Sequence, residues 1–275
     1  MSIGEALRAA AGRLAATSDT GRLDAELIAA HLLGTSRADL LLRHMAEPAP
    51  AGFNALIERR AAREPVAYIT GRQEFYGLTF AVSPAVLIPR GDSETVVEAA
   101  LEAAPAAARV LDCGTGSGAL LLALLAHRPQ AQGTGIDRSP AALAIAAGNA
   151  RALGLAGRAR FRQADWHAAG WTGGLGRFDL ILANPPYVES AAELEPEVRG
   201  HEPAGALFAG PEGLDDYRVL VPQLPGLLAP GGVAVVEIGY RQAAAVGAIA
   251  SAAGLAAVLR RDLGGRDRAL VLRAE

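Results

Sequence analysis

Along the first 65 residues the apolar positions recur at helical spacing. Leu7 and Leu14 are followed by Leu23, Leu27, Ile28, Leu32 and Leu33, then by Leu40–Leu42, then by Phe53, Leu56 and Ile57. Small and polar residues interrupt the pattern at Thr17–Gly21, Gly34–Ser36 and Pro48–Gly52, and Thr35-Ser36-Arg37-Ala38-Asp39 has the form of a cap before a new helix. Residues 1–65 are therefore expected to form a small bundle of four or five helices. The pattern changes at Pro65. Val66–Ile69 and then residues 73–82 alternate like a β-hairpin turning at Gly77, so 66–90 reads as a hairpin connector.

Residues 91–275 alternate helical and strand patterns. A helix is expected over about 93–104, a strand over 108–112, a Gly-rich turn, and a helix to about His127. Strands follow at 132–136, 159–163 and 178–183, with a helix after Ser139-Pro140 to about Leu153. A polar loop is expected to about Gly213, then a helix over 214–228, a strand over 232–238, a helix over 241–253 and strands at 256–260 and 269–273. This alternation predicts an α/β, Rossmann-like, doubly wound domain with ligands at the carboxyl ends of its strands.

Composition narrows the chemistry. All 26 basic residues are arginine. The absence of lysine excludes a P-loop lysine, a Schiff base and a kinase-type lysine. Cys113 is the single cysteine, so neither an intrachain disulfide nor a cysteine zinc site can form, and the five scattered histidines predict no metal centre. The net charge of −3 gives no excess of positive charge for a phosphate backbone. Residues 1–11 carry Glu5 and Arg8 and no apolar core of a signal peptide, and the apolar run 119–126 is too short to span a bilayer. A cytoplasmic protein with no direct nucleic-acid partner and no membrane is the expectation.

Four strand ends carry candidate chemistry. The first is Asp112-Cys113-Gly114-Thr115-Gly116-Ser117-Gly118, where alternating glycines between strand and helix let backbone approach a ligand at a helix N-terminus. The second, Asp137, ends the next strand, where an acidic residue accepts hydrogen bonds from ribose hydroxyls. At the third, Asp165-Trp166, the acid suits an adenine amino group and the indole offers a stacking face. The fourth is Asn184-Pro185-Pro186-Tyr187, whose two prolines stiffen the loop. The Asn184 side-chain carbonyl and the Pro185 carbonyl could accept both hydrogens of a planar NH2 group, with Tyr187 over its flat face.

With these tracts, the chain resembles the release-factor glutamine methyltransferases. The resemblance runs through Pro65–Leu78, Val86-Leu87-Ile88-Pro89-Arg90, the glycine turn, Asn184–Tyr187, Leu194–Arg199, His201-Glu202-Pro203, Gly213-Leu214 with Tyr217-Arg218, and Glu237-Ile238-Gly239. It implies S-adenosylmethionine as cofactor and, in translation termination, methylation of the side-chain amide nitrogen of the Gly-Gly-Gln glutamine of peptide-chain release factors, the protein partners. By the same resemblance, Gly114, Thr115, Gly116, Ser117, Gly118, Asp137, Trp166 and Asn184 hold the donor, and the third strand end adds Asp165. Asn184, Pro185, Pro186 and Tyr187 hold the substrate, with Asn184, Pro185 and Tyr187 catalytic and the helical bundle recognising the protein. The family's usual Pro-(Glu/Asp)-Thr-Glu after Ile-Pro-Arg is here Gly91-Asp92-Ser93-Glu94, in which Ser93 is expected to cap the next helix. An adenine-N6 nucleic-acid methyltransferase would use the same Asn-Pro-Pro-Tyr motif; the tract from Pro65 to Arg90 separates the two.

Overall fold

In the computed structural model, which describes residues 1–274, the N-terminal segment is helical, as the apolar spacing predicts. It contains α1 (Ile3–Leu14), α2 (Gly21–Leu33), α3 (Arg37–Asp39, continued by a π-helical turn over Leu40–His44), α4 (Phe53–Ala61) and α5 (Val66–Thr70). Ser2 and Glu5 form a reciprocal capping box on α1, and Ser36 caps α3 by accepting from Asp39 N. The core of this unit is Leu7, Leu14, Ile28, Leu40, Phe53 and Ile57.

The strand expected at Val66–Ile69 is instead helix α5. The Pro65 carbonyl accepts from the N–H groups of both Tyr68 and Ile69, and Gly71, at φ 69°, ends the turn in the left-handed region. The hairpin begins one residue later, with β1 (Arg72–Phe75) and β2 (Leu78–Ala81) joined through Tyr76 and Gly77.

Contacts group residues 1–72 with residues 194–202 in one unit, and 73–193 with 203–275 in a second. The span read from sequence as a polar loop thus contains α9 (Pro196–His201), which belongs with the N-terminal helices. Arg60, buried, donates to Asp24 Oδ2 at 2.7 Å and to Glu197 Oε2 at 2.5 Å.

The second unit is a seven-stranded sheet flanked by helices. Its strands are β3 (Arg109–Cys113), β4 (Gln132–Asp137), β5 (Ala159–Gln163), β6 (Phe178–Ala183), β7 (Leu228–Glu237), β8 (Leu255–Arg261) and β9 (Asp267–Ala274). They lie in the order β5-β4-β3-β6-β7-β9-β8, all parallel except β9. The flanking helices include α6 (Glu94–Ala103), α7 (Ala119–His127), α8 (Pro140–Ala152), α10 (Asp215–Leu220), α11 (Leu224–Leu227) and α12 (Ala243–Ala252). Residues on the two faces of β3 enter separate cores: Val110 packs with α7, Leu111 and Cys113 with α10.

The apolar run 119–126 is a core helix buried along Ala119–Leu125. Among the described residues, no helix is long and apolar enough to cross a membrane. The helix expected over 214–228 is broken, because Pro222 and Pro225 each lack the N–H that a continuous helix needs; each sits in the first turn of a new short helix.

Candidate active site

Sheet register gathers the four motifs. Cys113 pairs with Ile136 on one side and Ala183 on the other, and Asp137 pairs with Gln163. The residues that follow these pairs are Gly114, Asp137, Asn184 and, after β5, Asp165 and Trp166. Neighbouring strands lie about 4.8 Å apart, so the motifs share one rim, at the point where strand order reverses between β3 and β6. A cavity of about 320 Å³ opens there, lined among others by Gly114, Gly116, Asp137, Trp166, Asn184 and Pro186.

The glycine turn is built for close approach. Gly114, Gly116 and Gly118 have φ of 75°, 55° and 83°, a region that L side chains rarely adopt. A Cβ on Gly114 would stand 3.0 Å from the Trp166 ring; one on Gly118 would stand 3.0 Å from Leu122. Gly118 therefore packs the start of α7, while Gly114, Thr115, Gly116 and Ser117 face the cavity.

Asp112, 1% exposed, holds the turn from inside: its Oδ2 accepts from Thr115 Oγ1 at 2.6 Å. Burial raises its pKa to about 7, with Asp137 adding to the rise and Thr115 opposing it. Its Oδ1 is buried without a hydrogen-bond partner. Cys113, also buried, has its thiol pKa pushed well up by burial and serves as packing.

Asp137 Oδ2 accepts from Gly116 N and Oδ1 from Ser139 N, both at 2.9 Å, so the carboxylate fastens the glycine turn to the start of α8. Trp166 is held by its indole N–H, which donates to Asp216 Oδ1 at 2.8 Å; His167 Nε2 lies 3.0 Å from the same oxygen. Asp165 Oδ1 accepts from His167 N, and both line the cavity.

Asn184 Nδ2 donates to Ser93 Oγ at 3.4 Å. Ser93 makes no capping bond to α6; its Oγ accepts from Asn184 instead. Pro185 and Pro186 are both buried, Pro186 lining the cavity, and Tyr187 is half-buried. The Tyr187 hydroxyl lies 3.4 Å from Glu237 Oε1, and burial pushes its pKa well up, so the phenol keeps its proton and donates. The hydroxyl end of Tyr187 is thus directed to Glu237. The Tyr187 backbone carbonyl is held by Gln242 Nε2 at 3.1 Å, and any Cβ on Gly213 would collide with that carbonyl. This explains why glycine stands there.

The roles of Asp216, Ser93 and Asp112 are not marked by the sequence motifs. Each is defined by a partner, and for Asp216 and Ser93 that partner lies 50 and 91 residues away. Only the Asp112–Thr115 spacing was a local signal.

A mostly parallel seven-stranded sheet with one antiparallel strand, a glycine turn and an acid after the second strand defines a methyltransferase with S-adenosylmethionine as methyl donor. Residues 105–239 match the Methyltransferase domain family and residues 5–71 the PrmC N-terminal domain family. A Pyrococcus furiosus methyltransferase structure superposes with a TM-score of 0.53 at 17% identity, covering 80% of this chain and 96% of that one, and shares the fold. The release factor glutamine methyltransferase of Rhodospirillum rubrum is 47% identical over 259 residues, 92% of this chain and 78% of the relative. That of Cereibacter sphaeroides is 47% identical over 276 residues, 98% and 97% of the two chains. The chain belongs to the release factor glutamine methyltransferase family.

The cavity suits the donor. Asp137, Asp165 and Asp216 line it together with Arg90 and Arg138, which matches a ligand carrying a sulfonium, an ammonium and a carboxylate. The Gly114 cradle leaves room against Trp166 that any side chain would fill.

Proposed function

We propose that this protein methylates the side-chain amide nitrogen (N5) of the glutamine in the Gly-Gly-Gln motif of peptide-chain release factors, in the cytoplasm where translation terminates. The observation that carries the reading is the Asn184 amide. Its NH2 group is spent on Ser93, which leaves its carbonyl as the acceptor on a cavity wall shared with the donor motifs.

S-adenosylmethionine supplies an electrophilic methyl group on a positively charged sulfur. An amide nitrogen is a poor nucleophile because its lone pair is delocalised. Asn184 Oδ1 accepts one substrate N–H, and the backbone carbonyl of Pro185, fixed by the stiff Pro-Pro turn, accepts the other. Two acceptors orient the nitrogen and stabilise the positive charge that grows on it, so the interaction strengthens toward the transition state; the methylated nitrogen then gives up one of its two protons to water, which leaves the neutral N-methyl amide. Asp137 accepts from the donor ribose, and Trp166 packs beside Gly114.

We assign recognition of the release factor to the helical unit, because every donor-site motif lies in the other unit. Leu23 and Leu27, one turn apart on α2, remain more than a third exposed there. Deleting residues 1–65 would also strip Glu197 of Arg60, so point substitutions on α2 test this assignment better than truncation.

The deciding experiment is methyl transfer to a purified release factor, with its Gly-Gly-Gln glutamine changed to asparagine in one arm and with RNA and DNA in others. Asn184→Ala should lower the single-turnover rate at saturating donor and substrate by about 10²–10³-fold. Transfer to nucleic acid and not to the release factor would overturn the reading.

A further inference from the structure

Beside Asn184 lies a set of buried polar groups that the chemistry above does not use. Glu237 ends β7 and is 2% exposed. The Tyr187 hydroxyl lies 3.4 Å from its Oε1, and Ser93 stands close enough to favour the ionised carboxylate. Its Oε2 is buried without a partner in good hydrogen-bond geometry. Tyr217 Oη, from α10, donates to the Glu237 backbone carbonyl at 2.8 Å. Arg268, from β9, attracts the carboxylate, and Asp92, in the turn before α6, repels it; these two pair with each other at 2.8 Å. A buried acid with an open lone pair, next to a side chain that accepts from Asn184, calls for a role.

The donor and acceptor inventory supplies it. A carboxylate only accepts. A hydroxyl has one proton, so if Ser93 donates to Glu237, its oxygen is left to accept. The group that meets it is the Asn184 NH2, at 3.4 Å. An amide that turns its NH2 toward Ser93 must turn its carbonyl away. The links are long, and their effect comes from which partner each group has left, not from strength.

We propose that Glu237 is a positioning residue which, acting through Ser93, holds the Asn184 amide with its carbonyl toward the cavity. This rests on the reading of Asn184 as an acceptor for the substrate amide. A neutral group at 237 that donates to Ser93 frees the hydroxyl proton to point at Asn184. The amide then turns over and presents NH2 to the substrate NH2, donor against donor. Burial raises the pKa of Glu237 to about 7, with Ser93, Arg268 and Tyr187 opposing the rise, so this reversal falls within an accessible pH range.

The test compares Ser93→Ala, Ser93→Thr, Glu237→Gln, Asn184→Ala and the Ser93→Ala/Glu237→Gln double variant of the full chain. The readouts are single-turnover methyl transfer to a release factor, at saturating donor and substrate from pH 5.5 to 8.5, and donor affinity by calorimetry. Glu237→Gln is expected to lower the rate at least tenfold with donor affinity within twofold. Ser93→Ala should lose about tenfold, and Ser93→Thr, which keeps the hydroxyl, should recover most of that. The double variant should be no slower than the slower single, because both act on one amide. Wild type should lose rate on acidification through about pH 7, and Ser93→Ala should lack that inflection.

Ser93→Ala at the rate of Ser93→Thr, or additive losses in the double variant, would overturn the relay. If Glu237→Gln melts below the assay temperature, the Ser93 pair and the pH profile still decide. An unimpaired Asn184→Ala would sink the functional reading itself. A slow Asn184→Ala beside a fast Ser93→Ala would sink the relay alone.

Discussion

Replacing Asp137 by alanine separates what this carboxylate does for the fold from what it does for the donor. In the structure each oxygen accepts one backbone N–H, Gly116 on Oδ2 and Ser139 on Oδ1, and each keeps a second lone pair for a ribose hydroxyl. Both amides are only partly buried, so losing their acceptor costs about 1–3 kcal/mol of stability in all after water re-enters. The ribose bonds are charge-assisted, at roughly 1.5–3 kcal/mol each. Donor Kd should therefore rise by about 10²–10⁴-fold. Asp137→Asn keeps one acceptor oxygen and should fall between alanine and wild type. Calorimetry gives the affinities, and urea unfolding gives the stability loss. A sharper comparison uses adenosine and its 2′,3′-dideoxy analogue. Wild type should distinguish them strongly, and Asp137→Ala should hardly do so. If the variant unfolds more easily but binds the donor as wild type does, or still discriminates the two nucleosides, Asp137 is only a fastener of the glycine turn.

Two further outcomes follow from buried charge. Arg60→Ala should destabilise the helical unit by about 3 kcal/mol, because Asp24 and Glu197 lose their common cation; Ser18 and Thr20 still donate to Asp24 and limit the damage. Urea unfolding with a change below 1 kcal/mol would refute it. Asp112→Asn should flatten the pH dependence of stability. The pKa of Asp112 is raised by burial from 3.8 to about 7. The fold thus has this group's full benefit below about pH 4, and loses about 4 kcal/mol as the pH rises through 7. The fall in unfolding free energy between pH 5 and pH 8 should be smaller in the variant, and equal falls would show that Asp112 does not titrate as described.

What could be read from sequence was what depends on near neighbours. The strands from 109 to 183 and the helices after Gly118 and Ser139 follow from apolar runs and local caps, and the structure has them within a residue or two. Val66–Ile69 misled because four residues of apolar character fit a short strand as well as a helix. The hydrogen bonds from Tyr68 and Ile69 to the Pro65 carbonyl decided it. Pro222 and Pro225 are local signals, and each breaks the helical pattern that spans 214–228. The grouping of residues 194–202 with the helices could not be read locally: it is marked by Arg60 and Glu197, 137 residues apart. Ser93 looked like a cap because serine before an apolar helix usually is one. It is occupied instead by Asn184, 91 residues on.

The two halves of the site are held by different means, and this bears on which substitutions each can absorb. The donor half is set by backbone. Register fixes Cys113 beside Ile136 and Ala183, with Gly114 next in the chain, and a one-residue slip would exchange Asp112 with Cys113 and put the wrong side chain under the turn. The acceptor half is set by side chains: Ser93 on Asn184, Glu237 beside Ser93 and Tyr187, and Gln242 on the Tyr187 carbonyl. Prolines 185 and 186 stiffen the backbone of this loop but cannot choose which way the Asn184 amide faces. That choice falls to polar neighbours drawn from α6, β7 and the start of α12. Substitutions that leave the fold intact should therefore spare donor binding more readily than methyl transfer.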